Sequence, residues 1–112
     1  MNLNNWQTQL RKGLLDIVVL NVLRHGRRHG YEMVQALKAL DGLKIREGNI
    51  YVILARLQAD GLVTSCSEPS RDGPPRKYFE LTETGKKYLD DMNYHWDQIT
   101  TSIEHIRKGA LK

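Results

Sequence analysis

The stretch Gly48 to Gly85 decides the fold. It begins G-N-I-Y-V-I-L-A-R-L-Q-A-D-G (48–61) and continues without a gap as L-V-T-S-C-S-E-P-S-R-D-G-P-P-R-K-Y-F-E-L-T-E-T-G (62–85). In the first part Ile50, Ile53, Leu54 and Leu57 recur at helical spacing, and Gly61 supplies a stop. This predicts a helix from Arg46 or Glu47 to about Asp60. In the second part Leu62 to Glu68 and Arg76 to Leu81 read as two strands. Pro69, Gly73, Pro74 and Pro75 are expected to keep the tip from pairing. Tyr78, Glu80 and Thr82 alternate with Phe79 and Leu81, so one face of the hairpin is apolar. A helix followed at once by a small basic hairpin is the sequence shape of a winged helix-turn-helix. That shape points to DNA binding.

Upstream, residues from about Asn5 to Arg24 predict a first helix. Trp6, Leu10, Leu14 and Ile17 form its stripe, and Leu14 to Leu23 is apolar nearly all round, as in a buried helix. His25 to Gly30 (H-G-R-R-H-G) reads as a turn. Tyr31 to Leu40 predicts a short helix with Met33, Val34, Leu37 and Leu40 on one face, ended by Asp41-Gly42.

Downstream, Thr82 is a good N-cap for a last helix, with Glu83 favourably placed in its first turn. In that helix Leu89, Met92, Trp96, Ile99, Ile103 and Ile106 are spaced alternately by three and four among mostly polar neighbours. This is a narrow seam of the kind that packs against a partner helix. The expected class is mostly α with a small β-hairpin wing (α+β). Residues 1–82 would be a winged helix-turn-helix whose helix 5–24 also contributes to a dimer. Residues 83–108 would be a C-terminal dimerisation helix.

Composition agrees. The chain has 112 residues, enough for one domain with a single core. Residues 1–82 carry 12 Lys/Arg against 8 Asp/Glu and residues 83–112 carry 5 of each, so the whole net charge of +4 lies with the candidate DNA-reading elements. The single cysteine, Cys66, excludes an internal disulfide and fits a reducing compartment. Between two serines and without a second thiol, it reads as inert. The N-terminus lacks the pattern of a signal peptide, and the apolar run Leu14–Leu23 is far shorter than the roughly 20 residues a bilayer crossing needs. A cytoplasmic location is expected. No dinucleotide fingerprint, P-loop, zincin or nucleophile-elbow pattern occurs, so no enzyme activity and no cofactor are expected. His25 and His29 are four apart, but they lie in a turn with Arg27 and Arg28, whose charges repel a cation. No metal site is expected.

The residues H-G-Y-E (29–32), I-Y-x-x-L-x-R-L-x-x-D-G-L-V (50–63) and G-P-P-R-K-Y-F-x-L-T-x-x-G (73–85) resemble the PadR family of bacterial transcriptional regulators, in its short form. The resemblance covers nearly the whole chain. It implies a winged-helix homodimer, with the C-terminal helix exchanged or packed between protomers, acting mainly as a repressor. One departure is at the start of the recognition helix. The family often has Ser or Thr before Leu/Ile-Tyr, whereas this chain has Arg46-Glu47-Gly48-Asn49.

Candidate DNA contacts follow from helix-turn-helix geometry, in which the start of the recognition helix meets base edges and flanking groups hold phosphates. Asn49 has the chemistry to read adenine, and Arg46 to read guanine or bind phosphate. Tyr51 suits a phosphate contact. Arg56 suits either the DNA backbone or an ion pair with Asp60 one turn on. Arg71, Arg76 and Lys77 belong to the wing, where positive charge meets phosphate or the minor groove. Tyr31, at the start of the second helix, serves either as a phosphate contact or as core. Trp96 is central in the seam and reads first as a dimer-core aromatic. Its resemblance to multidrug-binding members of the family, which line a central pore with a tryptophan of this helix, implies a stack on a planar aromatic effector, with Met92 and Trp6 contributing. The competing reading from a different class is a winged-helix protein-interaction module without sequence-specific DNA binding.

Overall fold

A computed structural model describes residues 2–110. The elements are α1 (Leu3–Arg24), β1 (Arg28–His29), α2 (Gly30–Lys38), α3 (Glu47–Ala59), β2 (Val63–Ser70), β3 (Gly73–Leu81) and α4 (Glu83–Arg107). The strands form one antiparallel sheet in the order β1-β3-β2. The fold is a winged helix-turn-helix of the α+β class.

Helix ends follow local chemistry. Asn2 caps α1 by accepting from the Asn4 amide at 2.8 Å. The end of α3 is a Schellman motif. The Leu62 amide donates to the Leu57 carbonyl and the Gly61 amide to that of Gln58, both at 3.0 Å. Gly61 holds φ +79°, the left-handed conformation that this closure requires.

That closure leads straight into the wing and α4. The Thr82 amide donates to the Leu62 carbonyl at 3.1 Å. The Thr82 hydroxyl donates to the Gly61 carbonyl at 2.7 Å and accepts from the Gly85 amide at 2.9 Å. Gly85 lies so close beneath that a Cβ there would fall 2.0 Å from the Leu62 carbonyl oxygen. The run Leu81-Thr82-x-x-Gly85 thus ties the end of α3, the end of β3 and the start of α4 into one joint.

His25 to Gly30 is not only a turn, because Arg28 and His29 pair with Phe79 and Tyr78 as a third strand. The hairpin tip does pair, through Ser70 and Gly73, around an irregularity between Glu68 and Ser70. Pro69 lies at that irregularity, and the Pro74 carbonyl accepts from the Ser70 hydroxyl at 2.8 Å. The β2 and β3 strands therefore extend further than proline content suggested.

The core joins Val19, Leu20 and Leu23 of α1, Met33 and Leu37 of α2, and Ile50, Ile53, Leu54 and Leu57 of α3. The sheet adds Val63, Phe79 and Leu81, with Leu62 just ahead of it, and α4 adds Leu89. Leu40, expected on the inward face of the second helix, lies beyond its end and is half exposed. Leu15, Ile17, Val18 and Val22 are only partly covered, so the fold buries one face of a helix that is apolar nearly all round.

The molecule is extended, with principal-axis extents of 60 × 33 × 22 Å. The radius of gyration is 16.4 Å, against about 13 Å for a compact chain of this length. Leu3, Trp6 and Leu10 of α1 and Ile99, Ile103 and Ile106 of α4 all stand exposed. Where α1 and α4 do meet, Asn21 and Asn93 exchange two amide hydrogen bonds of 2.9 Å, and Arg24 pairs with Asp90.

Candidate nucleic-acid interface

The surface formed by α2, α3 and the wing is built from the turn before α2. His29 is the N-cap of α2. Its Nδ1 accepts from the Glu32 amide at 3.2 Å, and the Glu32 carboxylate accepts from the His29 amide at 3.1 Å. This is a capping box with histidine in the place usually taken by serine or threonine. The His29 ring meets the edge of Tyr78 from β3, and its Nε2 lies 3.2 Å from the Arg76 guanidinium. One residue thus orients the start of α2 and touches the wing.

Tyr31 follows, half exposed and stacked beside the His29 ring, so its ring is not a core group. Tyr51 of α3 reaches back to the same place. Its ring lies on Gly30, and its hydroxyl donates to Glu47 at 3.5 Å. Burial first, and the neighbouring Glu47 carboxylate second, push the Tyr51 hydroxyl above its ordinary ionisation range. The hydroxyl therefore stays a neutral donor through physiological pH and well beyond it.

Tyr31, Tyr51, Arg71, Arg76 and Lys77 line one open concavity of about 770 Å³ between the helices and the wing. Five of the eight DNA-contact candidates therefore converge on a single surface. Asn49 is exposed on the first turn of α3. Arg46 is the N-cap of that helix, makes no side-chain cap, and lines a neighbouring cleft. The turn Arg71-Asp72 sits at the exposed tip of the hairpin.

Arg56 stands apart. Its guanidinium pairs with Asp16 of α1, not with Asp60, so the ion pair joins two helices instead of two turns of one. Arg27 and His29, which from sequence read only as turn residues, also belong to this surface. Arg27 pairs with Glu68, and its guanidinium lies 4.9 Å over the Tyr78 ring, which fixes the base of the wing. The Glu68 carboxylate holds the Arg27 guanidinium above its already high ionisation range. The signal for His29 was present in Glu32, three residues on, but histidine is an uncommon cap.

The seam of α4 divides. Leu89 is completely buried in the core, and Met92 is partly buried against it. Trp96 is 39% exposed and borders an apolar groove of about 390 Å³ with Leu14 and Ile17 of α1 and the Asn21–Asn93 pair. Met92 and Trp6 do not line that groove. Among the described residues no helix is long and apolar enough to cross a membrane.

Residues 19–91 match the model of the transcriptional regulator PadR-like family. A PadR family transcriptional regulator from Eggerthella lenta superposes with a TM-score of 0.82 at 27% identity, over 93% of this chain and 90% of that one. Bacillus subtilis PadR, solved in complex with operator DNA, superposes with a TM-score of 0.66 at 27% identity, over 70% of this chain and 46% of that one. The transcriptional regulator YqjI of Escherichia coli is 30% identical over 100 residues, which are 88% of this chain and 46% of that protein.

Proposed function

The chain belongs to the PadR-like family of transcriptional regulators, and from that membership we propose that it is a homodimeric repressor that binds duplex operator DNA and is released by a small planar aromatic effector. The observation that carries the DNA reading is the concavity in which Tyr31 and Tyr51 face the wing cations Arg71, Arg76 and Lys77. In this reading the first turn of α3, with Asn49 exposed, enters the major groove, while Arg46 and the wing hold phosphates on either side. Operator binding by Bacillus subtilis PadR supports it.

The dimer reading rests on the exposed apolar residues of two helices, Leu3, Trp6 and Leu10 of α1 and Ile99, Ile103 and Ile106 of α4. A second protomer that covers Trp96, Ile99, Ile103 and Ile106 would set the distance between two recognition helices at about one DNA turn, ~34 Å. The effector reading rests on Trp96 at the mouth of an apolar groove flanked by two side-chain amides. A ligand there, between protomers, would change their relative angle and lower DNA affinity by binding one arrangement better than the other.

Three measurements test the parts separately. Light scattering on the purified protein should give twice the protomer mass, and a monomer would contradict the dimer. Gel shifts with the region upstream of its own gene should show sequence-selective binding. Trp96→Ala should abolish binding of planar dyes and leave DNA binding measurable. Unchanged dye binding would exclude the aromatic stack.

A further inference from the structure

A second basic surface lies at the other end of α2 from the wing. Arg11 of α1, Lys38 at the end of α2, Lys44 of the α2–α3 loop and Arg46 at the start of α3 line a cleft of about 600 Å³. Glu47 is the only carboxylate in its lining. Arg24, Arg27, Arg56 and Arg107 are each matched with an Asp or Glu, whereas the wing cations Arg71, Arg76 and Lys77 are in no ion pair among the described residues. None of the four cleft cations takes part in an ion pair among the described residues. Three of them are exposed, and Arg11 is half-buried without a carboxylate partner. Three separate segments thus bring unneutralised positive charge to one concave place, which raises the local potential for an anion.

We propose that this cleft is a second phosphate-binding site, which holds the backbone of duplex DNA beside the recognition helix at the end of α2 remote from the wing. The proposal rests on the DNA-binding reading above and extends it to Arg11, Lys38 and Lys44. Continuity favours DNA over a free anion. Arg46 and Glu47 belong both to the cleft and to the start of α3, and Asn49 is exposed in the next positions of the same helix. A duplex seated on α3 would therefore be gripped on two flanks, by the wing on one and by this cleft on the other. Lysine and arginine contacts of this kind carry no sequence information, so they contribute equally to every duplex.

Fluorescence anisotropy on the full chain tests this with two probes of equal length, a duplex from upstream of its own gene and a random-sequence duplex. The variants are Lys38→Gln/Lys44→Gln, Arg11→Gln, and the wing pair Arg76→Gln/Lys77→Gln. The cleft double variant should lose affinity for both probes by the same factor, roughly 3- to 10-fold at moderate salt, and its log–log salt slope should flatten by about 0.9 per lost contact. Lys38 and Lys44 are exposed, and a thermal melt matching wild type shows that the fold is intact. Arg11→Gln alters the cleft from a different helix and should reproduce the effect at about half its size. If the cleft variants keep wild-type affinity and slope while the wing pair loses both, the cleft proposal is wrong and the DNA-binding reading stands. If wild type binds neither probe in a salt-sensitive way, both fall together. If inorganic pyrophosphate raises the melting temperature of wild type but not of the cleft variants, while their DNA slopes are unchanged, the cleft holds a free anion and the proposal is overturned.

Discussion

The ring of Tyr51 lies directly on Gly30, so close that a Cβ at Gly30 would come within 2.5 Å of two ring carbons. The glycine before Tyr31 in the H-G-Y-E run is therefore a seat for a side chain of α3. Gly30→Ala should swing the Tyr51 ring aside, which is a movement of a flexible group and not of backbone. Stability should change by less than about 1 kcal/mol, because alanine also favours the helix. DNA affinity should fall by roughly the factor seen for Tyr51→Phe or more. A melt and a binding isotherm on the same sample check this. A large loss of stability would mean that the ring cannot move.

Gly85 gives the opposite case. Its close neighbour is the Leu62 carbonyl, which is fixed by the Thr82 amide. Gly85→Ala forces backbone apart at the joint of α3, wing and α4 and should destabilise the fold by about 2–4 kcal/mol. Gly13, inside α1 with nothing within 4 Å of its would-be Cβ, serves as the contrast. Gly13→Ala should stabilise by up to about 1 kcal/mol. Urea unfolding at matched protein concentration should show the two signs.

Asn21 and Asn93 form a reciprocal amide pair where α1 meets α4. Removing one partner leaves the other partly buried and underbonded. Asn93→Ala or Asn21→Ala alone should cost about 1–2 kcal/mol, and the double variant clearly less than their sum. A double-mutant cycle by chemical denaturation measures the coupling, and strict additivity would show that the pair contributes nothing as a pair.

The Tyr51 hydroxyl, raised in its ionisation range by burial and by Glu47, is stabilised in its neutral form in the folded state. Its contribution to stability is present below the unfolded value of about 10 and disappears as pH rises through the higher folded value. Glu47→Gln should lower the tyrosine's apparent ionisation point toward the ordinary one. Ultraviolet titration, with Tyr51→Phe as the reference, reads this directly. A shift upward would show that Glu47 does not oppose ionisation.

Much of this architecture was legible in the chain because it depends on local patterns. The Ile50/Ile53/Leu54/Leu57 stripe, the Gly61 stop and the Thr82 cap each act within a few residues of themselves. The parts that were not legible depend on distant partners. Nothing near Arg56 in sequence points to Asp16, and nothing in Arg28-His29 announces a strand until β3 is beside it. Leu89 shares the spacing of Ile99 and Ile103, but it comes early enough in α4 to reach the core. Periodicity reports which residues share a face, not which body covers that face. For the candidate site, Tyr51 and the wing cations were visible as exposed polar residues at the right end of a helix and hairpin. The role of Gly30 as the seat of Tyr51 required the tertiary contact.

The loss expected from removing a wing charge is also specific in kind. Arg76 faces His29 and the open concavity. Arg76→Ala should weaken binding to all duplexes alike and flatten the salt slope by about 0.9, as one lost phosphate contact does. A loss confined to one sequence would reassign Arg76 to base reading.

On the proposed function, α3 and the wing bind duplex DNA as a pair of symmetry-related units. The most direct test is the affinity of the light-scattering-verified protein for the duplex upstream of its own gene, titrated over salt concentration beside a random duplex. Tighter binding to the upstream duplex is expected, with log affinity falling linearly in log salt for both duplexes and a stoichiometry of two protomers per site. Binding that ignores salt, or no binding by the folded dimer at low salt, would contradict it.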